Sequence, residues 1–163
     1  DAAVERGIPV SVDVNYRAAL WTRQDAAAVL TPLASRAAIV FASADELGVV
    51  ASGTESDAVA SLLGGGVSEV VVKRGGAGAT AWHSGGELSV PARSVPVVDT
   101  IGAGDAFTAG YLSALLDDLP VADRLERGAV LGAFAVSGEG DWERLPNRAE
   151  LPLLDRAPGH TER

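Results

Sequence analysis

Three strand-length runs of β-branched and apolar residues, separated by segments long enough for helices, most constrain the fold of this chain. The runs cover residues 8–14, 37–42 and 67–73. β-Branched side chains fit the pleated surface of a sheet, and strands that alternate with helices indicate a largely parallel sheet. The pattern predicts a three-layer α/β domain whose ligands bind beyond the carboxyl ends of its strands.

The segments between and after these runs predict helices and one hairpin. Asp25 is expected to cap the first helix, and Gly64, Gly65 and Gly66 are expected to end the third, because glycine adopts cap conformations without steric cost. A hairpin is expected around Ser84 and Gly85, and a brief strand at residues 95–98. The predicted helices cover residues 25–35, 44–50, 55–63, 106–116 and 121–137.

Composition narrows the class of protein and its partners. Hydrophobic residues make up 47% of the 163 residues and charged residues 21%, which is typical of one globular domain. The net charge of −9 argues against nucleic-acid binding, and no apolar run reaches the length of a membrane span. There is no cysteine and no signal-peptide pattern, so we expect a cytoplasmic protein with no membrane partner. A polar tail over residues 158–163 is expected to fray.

The segment at residues 97–107 carries the strongest chemical signal. Gly102, Ala103 and Gly104 form a turn of small residues before a helix, where free backbone amides and the helix dipole favour a phosphate group. Asp105 follows in the first helical turn and could accept a proton from an attacking hydroxyl, as a kinase base does. On spacing alone, Asp105 could equally be a helix cap beside a tight turn.

The wider motif from Asp99 to Asp105, Asp-Thr-Ile-Gly-Ala-Gly-Asp, resembles the C-terminal signature of PfkB/ribokinase-family carbohydrate kinases. The resemblance implies that residues 102–104 form an anion hole and that Asp105 is the catalytic base. It also implies a monovalent cation, K⁺, near Asp99, and it extends over about residues 8–150.

Two further segments agree with this resemblance in order and spacing. Lys73, Gly75 and Gly78 lie in a strand and a Gly-x-x-Gly turn similar to the one that holds the nucleotide, although Lys73 alone could be an ordinary strand-end lysine. Asn15 and Arg17 lie in an Asp-x-Asn-x-Arg pattern similar to that of 2-keto-3-deoxygluconate kinases. The resemblance implies that Asn15 lies near the nucleotide phosphates. Arg17 would grip the carboxylate of a sugar-acid substrate, unless it is a surface arginine.

Two acidic residues complete the predicted site. Glu46 matches the last residue of the family's Asn-x-x-Glu motif, in which Ser43 replaces the asparagine, so we expect Glu46 to meet Mg²⁺ through water unless it is a solvated helix residue. Asp141 precedes Trp142 in a segment similar to the sugar-acid kinases, and we expect it to contact the substrate. The prediction is an ATP- and Mg²⁺-dependent kinase of a sugar or sugar acid, with 2-keto-3-deoxygluconate as the leading substrate.

The main departure from the family is that nothing in the chain corresponds to its N-terminal half and lid, and the chain starts at Asp1 without a methionine. We therefore expect a fragment of a longer protein, whose free sheet edge favours a homo-oligomer. A truncated, non-catalytic nucleotide-binding remnant is the main alternative. An NAD(P)-dependent oxidoreductase is a weaker one, because Phe107 occupies the third position of the dinucleotide fingerprint.

Overall fold

The computed structural model describes residues 2–140 and 142–152. Two compact units divide the chain, Asp1–Ser89 and Val90–Arg163, here named the first and second units. The first unit contains the strands and four of the helices described below, and the second contains a pair of longer helices.

A five-stranded mixed sheet organises the first unit, in the spatial order β1-β2-β3-β4-β5. Strands β1, β2 and β3 pair in parallel, whereas β4 runs antiparallel to β3 and is joined to β5 by the short turn at Ser84 and Gly85. The predicted parallel arrangement therefore holds for the first three strands, and the hairpin is confirmed. The strands are Ser11–Asp13, Ile39–Ser43, Glu69–Lys73, Ala79–His83 and Gly86–Val90.

Helices α1 (Ala2–Glu5), α2 (Arg23–Ala34), α3 (Ala44–Val50) and α4 (Glu55–Gly64) complete the first unit. Thr22, rather than the expected Asp25, caps α2 by accepting a hydrogen bond from the Asp25 amide. Both α3 and α4 begin with a reciprocal capping box, formed by Ser43 with Glu46 and by Thr54 with Asp57. One face of the sheet packs against helices α2, α3 and α4 through a core of small and branched apolar side chains, among them Val40, Val70, Val72, Leu47 and Val59.

Helices α5 (Ala103–Leu116) and α6 (Val121–Val136) pack closely against each other in the second unit. Two glycines permit the approach: a Cβ added at Gly110 would lie 2.7 Å from the Arg127 carbonyl oxygen, and one added at Gly128 would lie 2.9 Å from the Phe107 ring. Phe107 is 7% exposed and stacks on Tyr111 at a centroid distance of 6.5 Å. The buried, nearly all-apolar character of α5 that its sequence predicts is confirmed for its inner face.

The predicted strand at residues 95–98 does not form. Val97 and Val98 are 65% and 57% exposed, and the Val98 amide donates to the Val136 carbonyl at the end of α6 at 2.7 Å. The Val98 amide thus donates to a helix carbonyl rather than to a carbonyl of a neighbouring strand. β propensity alone does not form a strand, because a strand also needs a neighbouring strand to pair with.

Within the described ranges, no helix is both long and apolar enough to cross a membrane.

An ion-pair network ties the end of α5 to α6 and to the following segment. Asp117 accepts a hydrogen bond from Arg127 at 2.6 Å and forms an ion pair with Arg148 at 2.7 Å. These contacts, first that of Arg127, lower the pKa of the Asp117 carboxyl. Because the folded-state pKa is depressed, the network stabilises the fold fully above the ordinary aspartate range and ceases to do so as the pH falls through the folded pKa.

The Asp117→Asn variant is therefore expected to unfold more easily than the wild type at neutral pH, with a difference that disappears under acid conditions. Urea unfolding at a series of pH values measures the difference. The neighbouring Asp118→Asn variant is the control, since Asp118 is exposed and asparagine tolerates its positive φ of 57°. An equal pH dependence in both variants would contradict the role given to the Asp117 network.

Candidate active site

The first-unit residues predicted for the site lie where the parallel strands β1, β2 and β3 end. Asn15 follows β1 in a left-handed backbone conformation with a φ of 35°, and both Asn15 and Arg17 are exposed. Asparagine tolerates this conformation better than most residues, which explains its use at the turn. The structure therefore places an amide and a guanidinium at the sheet edge where α/β proteins bind ligands.

Glu46 organises the neighbouring turn through both of its carboxylate oxygens. One oxygen accepts the Ser43 amide at 2.8 Å within the capping box, and the other accepts the Tyr16 amide at 2.9 Å, thirty residues away along the chain. Glu46 therefore links the start of α3 to the turn that carries Asn15 and Arg17. Ser43, which replaces the expected asparagine, takes the capping role here.

Lys73, the only lysine in the sequence, forms an ion pair with Asp13 at 2.6 Å. The pair joins the ends of β1 and β3 across β2, and the two side chains are only 15% and 18% exposed. The Asp-x-Asn-x-Arg motif and the glycine loop are thereby held together at one edge of the sheet. The importance of Asp13 as the partner of Lys73 was not predicted, because sixty residues separate the two in sequence.

The Gly75–Gly78 loop follows Lys73 and Arg74 as a short 3₁₀ turn, Gly75–Ala77, and is largely exposed. Gly75 has a φ of 54° and Gly78 a φ of 97°, values that favour glycine. The backbone conformation therefore favours glycine at both ends of the predicted Gly-x-x-Gly turn. The loop is exposed and has little side-chain bulk, so a phosphate could approach its backbone. Two of its amides, those of Ala77 and Gly78, already donate to the Arg74 and Gly75 carbonyls.

The second unit carries the motif that contains Asp105. Gly102 is the N-cap of α5 in the left-handed conformation, with a φ of 73° and no side chain to cap the helix. The internal hydrogen bonds of α5 begin where the Ala106 amide donates to the Gly102 carbonyl at 2.8 Å. The amides of Gly104 and Asp105 therefore have no carbonyl within the helix to donate to, which is the arrangement that binds anions.

Asp105 is the third residue of α5, and its side chain is exposed. The alternative role of Asp105 as the helix cap is not supported. Gly102 occupies the N-cap position, and no side chain makes a capping hydrogen bond there. A carboxylate in the first turn of a helix, beside unpaired amides, could accept a proton from a hydroxyl near a bound phosphate.

Asp99 stabilises the turn that leads into this motif. Its Oδ1 atom accepts the Ile101 amide at 3.0 Å, and its own amide lies 3.4 Å from the Val136 carbonyl at the end of α6. This contact fixes the backbone just before Gly102. The role of Asp99 toward a monovalent cation stays a prediction.

Phe107 argues against dinucleotide binding. A dinucleotide fingerprint requires a small residue at this position for close helix packing, whereas the Phe107 ring is buried against Gly128 of α6. The glycine that permits close helix packing here is thus Gly128, which lies on α6 and not on α5.

Asp141 lies outside the described residues. In the described part of the chain, no three His, Cys, Asp or Glu side chains are grouped so that they could chelate a metal ion. Glu46 also uses both carboxylate oxygens on backbone amides, so the residues fit a metal ion only if water lies between it and the protein.

Comparison with known proteins shows the family. Residues 2–148 match the family described as pfkB family carbohydrate kinase. The 2-dehydro-3-deoxygalactonokinase of Haloferax volcanii is 35% identical over 85% of this chain and 45% of its own length. The 2-dehydro-3-deoxygluconokinase of Bacillus subtilis is 34% identical over 89% of this chain and 46% of its own length. The chain thus spans about half the length of the curated relatives it matches.

Solved structures agree with the fold. An E. coli protein described as a ribokinase II, in complex with ATP and Mg²⁺, superposes with a TM-score of 0.87 at 26% identity, over 93% of this chain and 50% of its own. A double-mutant fructokinase from Vibrio cholerae, bound to fructose, ADP and a potassium ion, gives a TM-score of 0.82 at 26% identity, over 93% and 52% of the two chains. The predicted ribokinase-like α/β fold class is confirmed, and the chain belongs to the pfkB family of carbohydrate kinases.

Proposed function

We propose that this chain serves ATP-dependent phosphoryl transfer to a hydroxyl group of a sugar or sugar acid. The observation that carries the proposal is the Gly102 turn, which leaves the first amides of α5 without helical partners directly beside the exposed Asp105. A phosphoryl-transfer site needs donors for the charge on the phosphate and an acceptor for the hydroxyl proton. The motif supplies both within four residues, Gly102 to Asp105.

In the proposed reaction, the substrate hydroxyl oxygen attacks the γ-phosphorus of ATP while its proton passes to the Asp105 carboxylate. The bond between the γ-phosphorus and the bridging β–γ oxygen breaks, and ADP leaves with that oxygen. The amides of Gly104 and Asp105 would donate hydrogen bonds to the oxygens of the transferred group. Asp105 then releases its proton to solvent.

The nucleotide is assigned to residues of the first unit. The exposed backbone of the Gly75–Gly78 loop, at Gly75 and Gly76, and the side chains of Asn15 and Lys73 are the proposed contacts. Mg²⁺ supplies charge neutralisation of the phosphates when it is bound with ATP. Glu46 would then accept a hydrogen bond from a water of its hydration shell.

The substrate class is proposed from Arg17 and from the relatives. A guanidinium binds a carboxylate through two parallel hydrogen bonds, and Arg17 is exposed at the carboxyl end of the sheet. Two relatives at 34% and 35% identity are named as kinases of 2-dehydro-3-deoxy sugar acids. We therefore propose 2-keto-3-deoxygluconate as the substrate, with Asp141 as a further contact. Potassium near Asp99, a cytoplasmic location and a homo-oligomer belong to the same proposal.

Nucleotide binding without turnover is the second candidate function, and the coverage of the relatives favours it. The chain corresponds to less than half of two kinases that it resembles, so residues needed for turnover could lie in the part that it does not match. Under this alternative, nucleotide binding by the Gly75–Gly78 loop does not require that part.

The proposal predicts that this chain binds ADP, in the presence of Mg²⁺, with a micromolar to millimolar dissociation constant. This is the usual range of Michaelis constants for enzyme substrates. Isothermal titration calorimetry measures the binding, and coupled ADP release with 2-keto-3-deoxygluconate measures turnover. Binding with turnover supports the kinase, and binding without turnover supports the second candidate. If neither ADP nor ATP binds, both are wrong for this chain.

A further inference from the structure

Arg74 lies directly before the Gly75–Gly78 loop, and its backbone closes that loop. The Arg74 amide donates to the Gly78 carbonyl at 2.8 Å, and the Arg74 carbonyl accepts the Ala77 amide at 3.1 Å. The Gly78 amide in turn donates to the Gly75 carbonyl at 3.0 Å. The two ends of the loop therefore meet at Arg74, and a change in its backbone would open both hydrogen bonds that it makes.

The Arg74 side chain is anchored to helix α4. Its two terminal nitrogens donate to the two carboxylate oxygens of Glu55, at 2.9 and 2.6 Å. Glu55 is the first residue of α4, so this bidentate pair connects the loop to a helix N-terminus. The hydrogen bond from Arg74 lowers the pKa of the Glu55 carboxyl, and the pair stays ionised at neutral pH.

The same guanidinium is also held against the hairpin. It lies 5.8 Å from the centre of the Trp82 ring, and its Nε atom donates to the Thr80 hydroxyl at 3.4 Å. Thr80 is buried and bonded to Ser89 at 2.9 Å, and the Trp82 ring nitrogen donates to Glu87 at 3.1 Å. Residues of β4 therefore contact the Arg74 guanidinium, and hydrogen bonds to β5 hold those residues in place.

The loop itself has few means of staying ordered. Glycine loses more conformational freedom on folding than any other residue, and Gly75 and Gly76 are exposed. A Cβ added at either position would meet no atom within 4 Å, so no surrounding side chain packs against the loop there. Contacts at the base of the loop must therefore supply most of its order.

We propose that Arg74 is a positioning residue, which acts through Glu55 to hold the Gly75–Gly78 loop in the conformation that receives a nucleotide phosphate. The ligand in this statement rests on the proposed function, whereas the ordering of the loop by Arg74 does not. The pair is partly solvated, with Arg74 29% and Glu55 36% exposed. The fixed geometry of its two hydrogen bonds therefore matters more than its contribution to the free energy of folding.

Two variants test the proposal, Arg74→Gln and the milder Glu55→Gln, which keeps the shape of the side chain. In the nucleotide-free chain, both are expected to speed hydrogen exchange of the Ala77 and Gly78 amides by roughly fivefold, because exchange reports local opening. The dissociation constant for ADP is expected to rise roughly threefold, since it scales inversely with the fraction of molecules whose loop is competent.

The matched control is the Arg93→Gln variant, which removes an ion pair with Glu126 in the second unit. It is expected to change neither the exchange of the loop amides nor the ADP affinity. Faster exchange in both test variants, with the circular dichroism spectrum of the wild type, supports the proposal. Exchange as slow as in the wild type in Glu55→Gln overturns it.

Hydrogen exchange also separates this inference from the proposed function. If the wild type fails to bind ADP, the proposed function is wrong, yet the exchange rates still decide whether Arg74 orders the loop. If the wild type binds ADP and both variants bind it equally well, the positioning role is wrong and the nucleotide site stands.

Discussion

Replacing Asp105 with asparagine is expected to lower kcat for phosphoryl transfer by a factor of about 10² to 10⁴, the usual contribution of a general base. Asparagine keeps the size of the side chain but cannot accept the hydroxyl proton. The amides around Gly104 stay in place, so the dissociation constant for ADP should remain close to that of the wild type. Coupled ADP release from ATP, Mg²⁺ and 2-keto-3-deoxygluconate measures kcat, and calorimetry measures ADP binding.

The chain offers a closely matched control in Asp123. Asp105 and Asp123 are each the third residue of a helix, α5 and α6, and both are exposed. Each carboxylate interacts favourably with its helix dipole, by about 0.3 to 1 kcal/mol. The Asp123→Asn variant should therefore lose similar stability without losing kcat.

The assay is best run on two proteins: this chain, and a chimera that adds the part of the B. subtilis relative that the chain does not match. Turnover in the wild-type chimera that disappears in its Asp105→Asn form would support Asp105 as the base. Equal loss in the Asp123→Asn form would instead trace the effect to the stability of the helices. Turnover that survives in Asp105→Asn would contradict the proposed mechanism.

Local signals in the sequence placed several elements accurately. Helix α3 forms at Ala44–Val50, where it was predicted, because its start is fixed by the capping box of Ser43 with Glu46, three residues apart. The hairpin likewise depends on the short turn at Ser84 and Gly85. Such contacts lie within a few residues of each other, so a sequence pattern contains both partners.

The start of α5 shows where a local pattern misleads. The helix was predicted from residue 106, but it begins at Ala103, because the glycine-rich turn contributes its own first helical residues. Gly102 alone takes the left-handed conformation and acts as the cap. The sequence shows that the turn consists of small residues, whereas the backbone conformation decides which of them are helical. Helix α1 was not predicted, and its four residues, Ala2–Glu5, are too short for a periodic signal.

The partners of the site residues could not be predicted, because they lie far apart in sequence. The position of Lys73 before the glycine loop is a local signal, but its pairing with Asp13 depends on strands β1 and β3 lying in register with β2 between them. The pairing of Arg74 with Glu55 depends on where α4 begins. The positions predicted for the site are thus local, and the contacts that orient them are tertiary.

Replacing Gly110 with alanine is expected to destabilise the second unit by about 1 to 3 kcal/mol, the usual cost of overpacking. The new Cβ would lie 2.7 Å from the Arg127 carbonyl oxygen and 3.0 Å from the Gly128 Cα, both of them backbone atoms. No side chain can rotate away to relieve these contacts, so α5 and α6 must separate. The gain in helix propensity, about 1 kcal/mol, offsets only part of this cost.

Gly132 in the same helix pair provides a control of opposite sign. A Cβ added there would lie 3.6 Å from the Ala103 carbonyl oxygen and 3.9 Å from the Phe107 Cβ, which are ordinary contact distances. The Gly132→Ala variant should therefore gain helix propensity without a clash and become more stable by up to about 1 kcal/mol. Urea unfolding followed by circular dichroism measures both variants, and hydrogen exchange assigns the change to α5 and α6. If Gly110→Ala proved as stable as Gly132→Ala, the helices would have to lie further apart than described, and Gly110 would not set their separation.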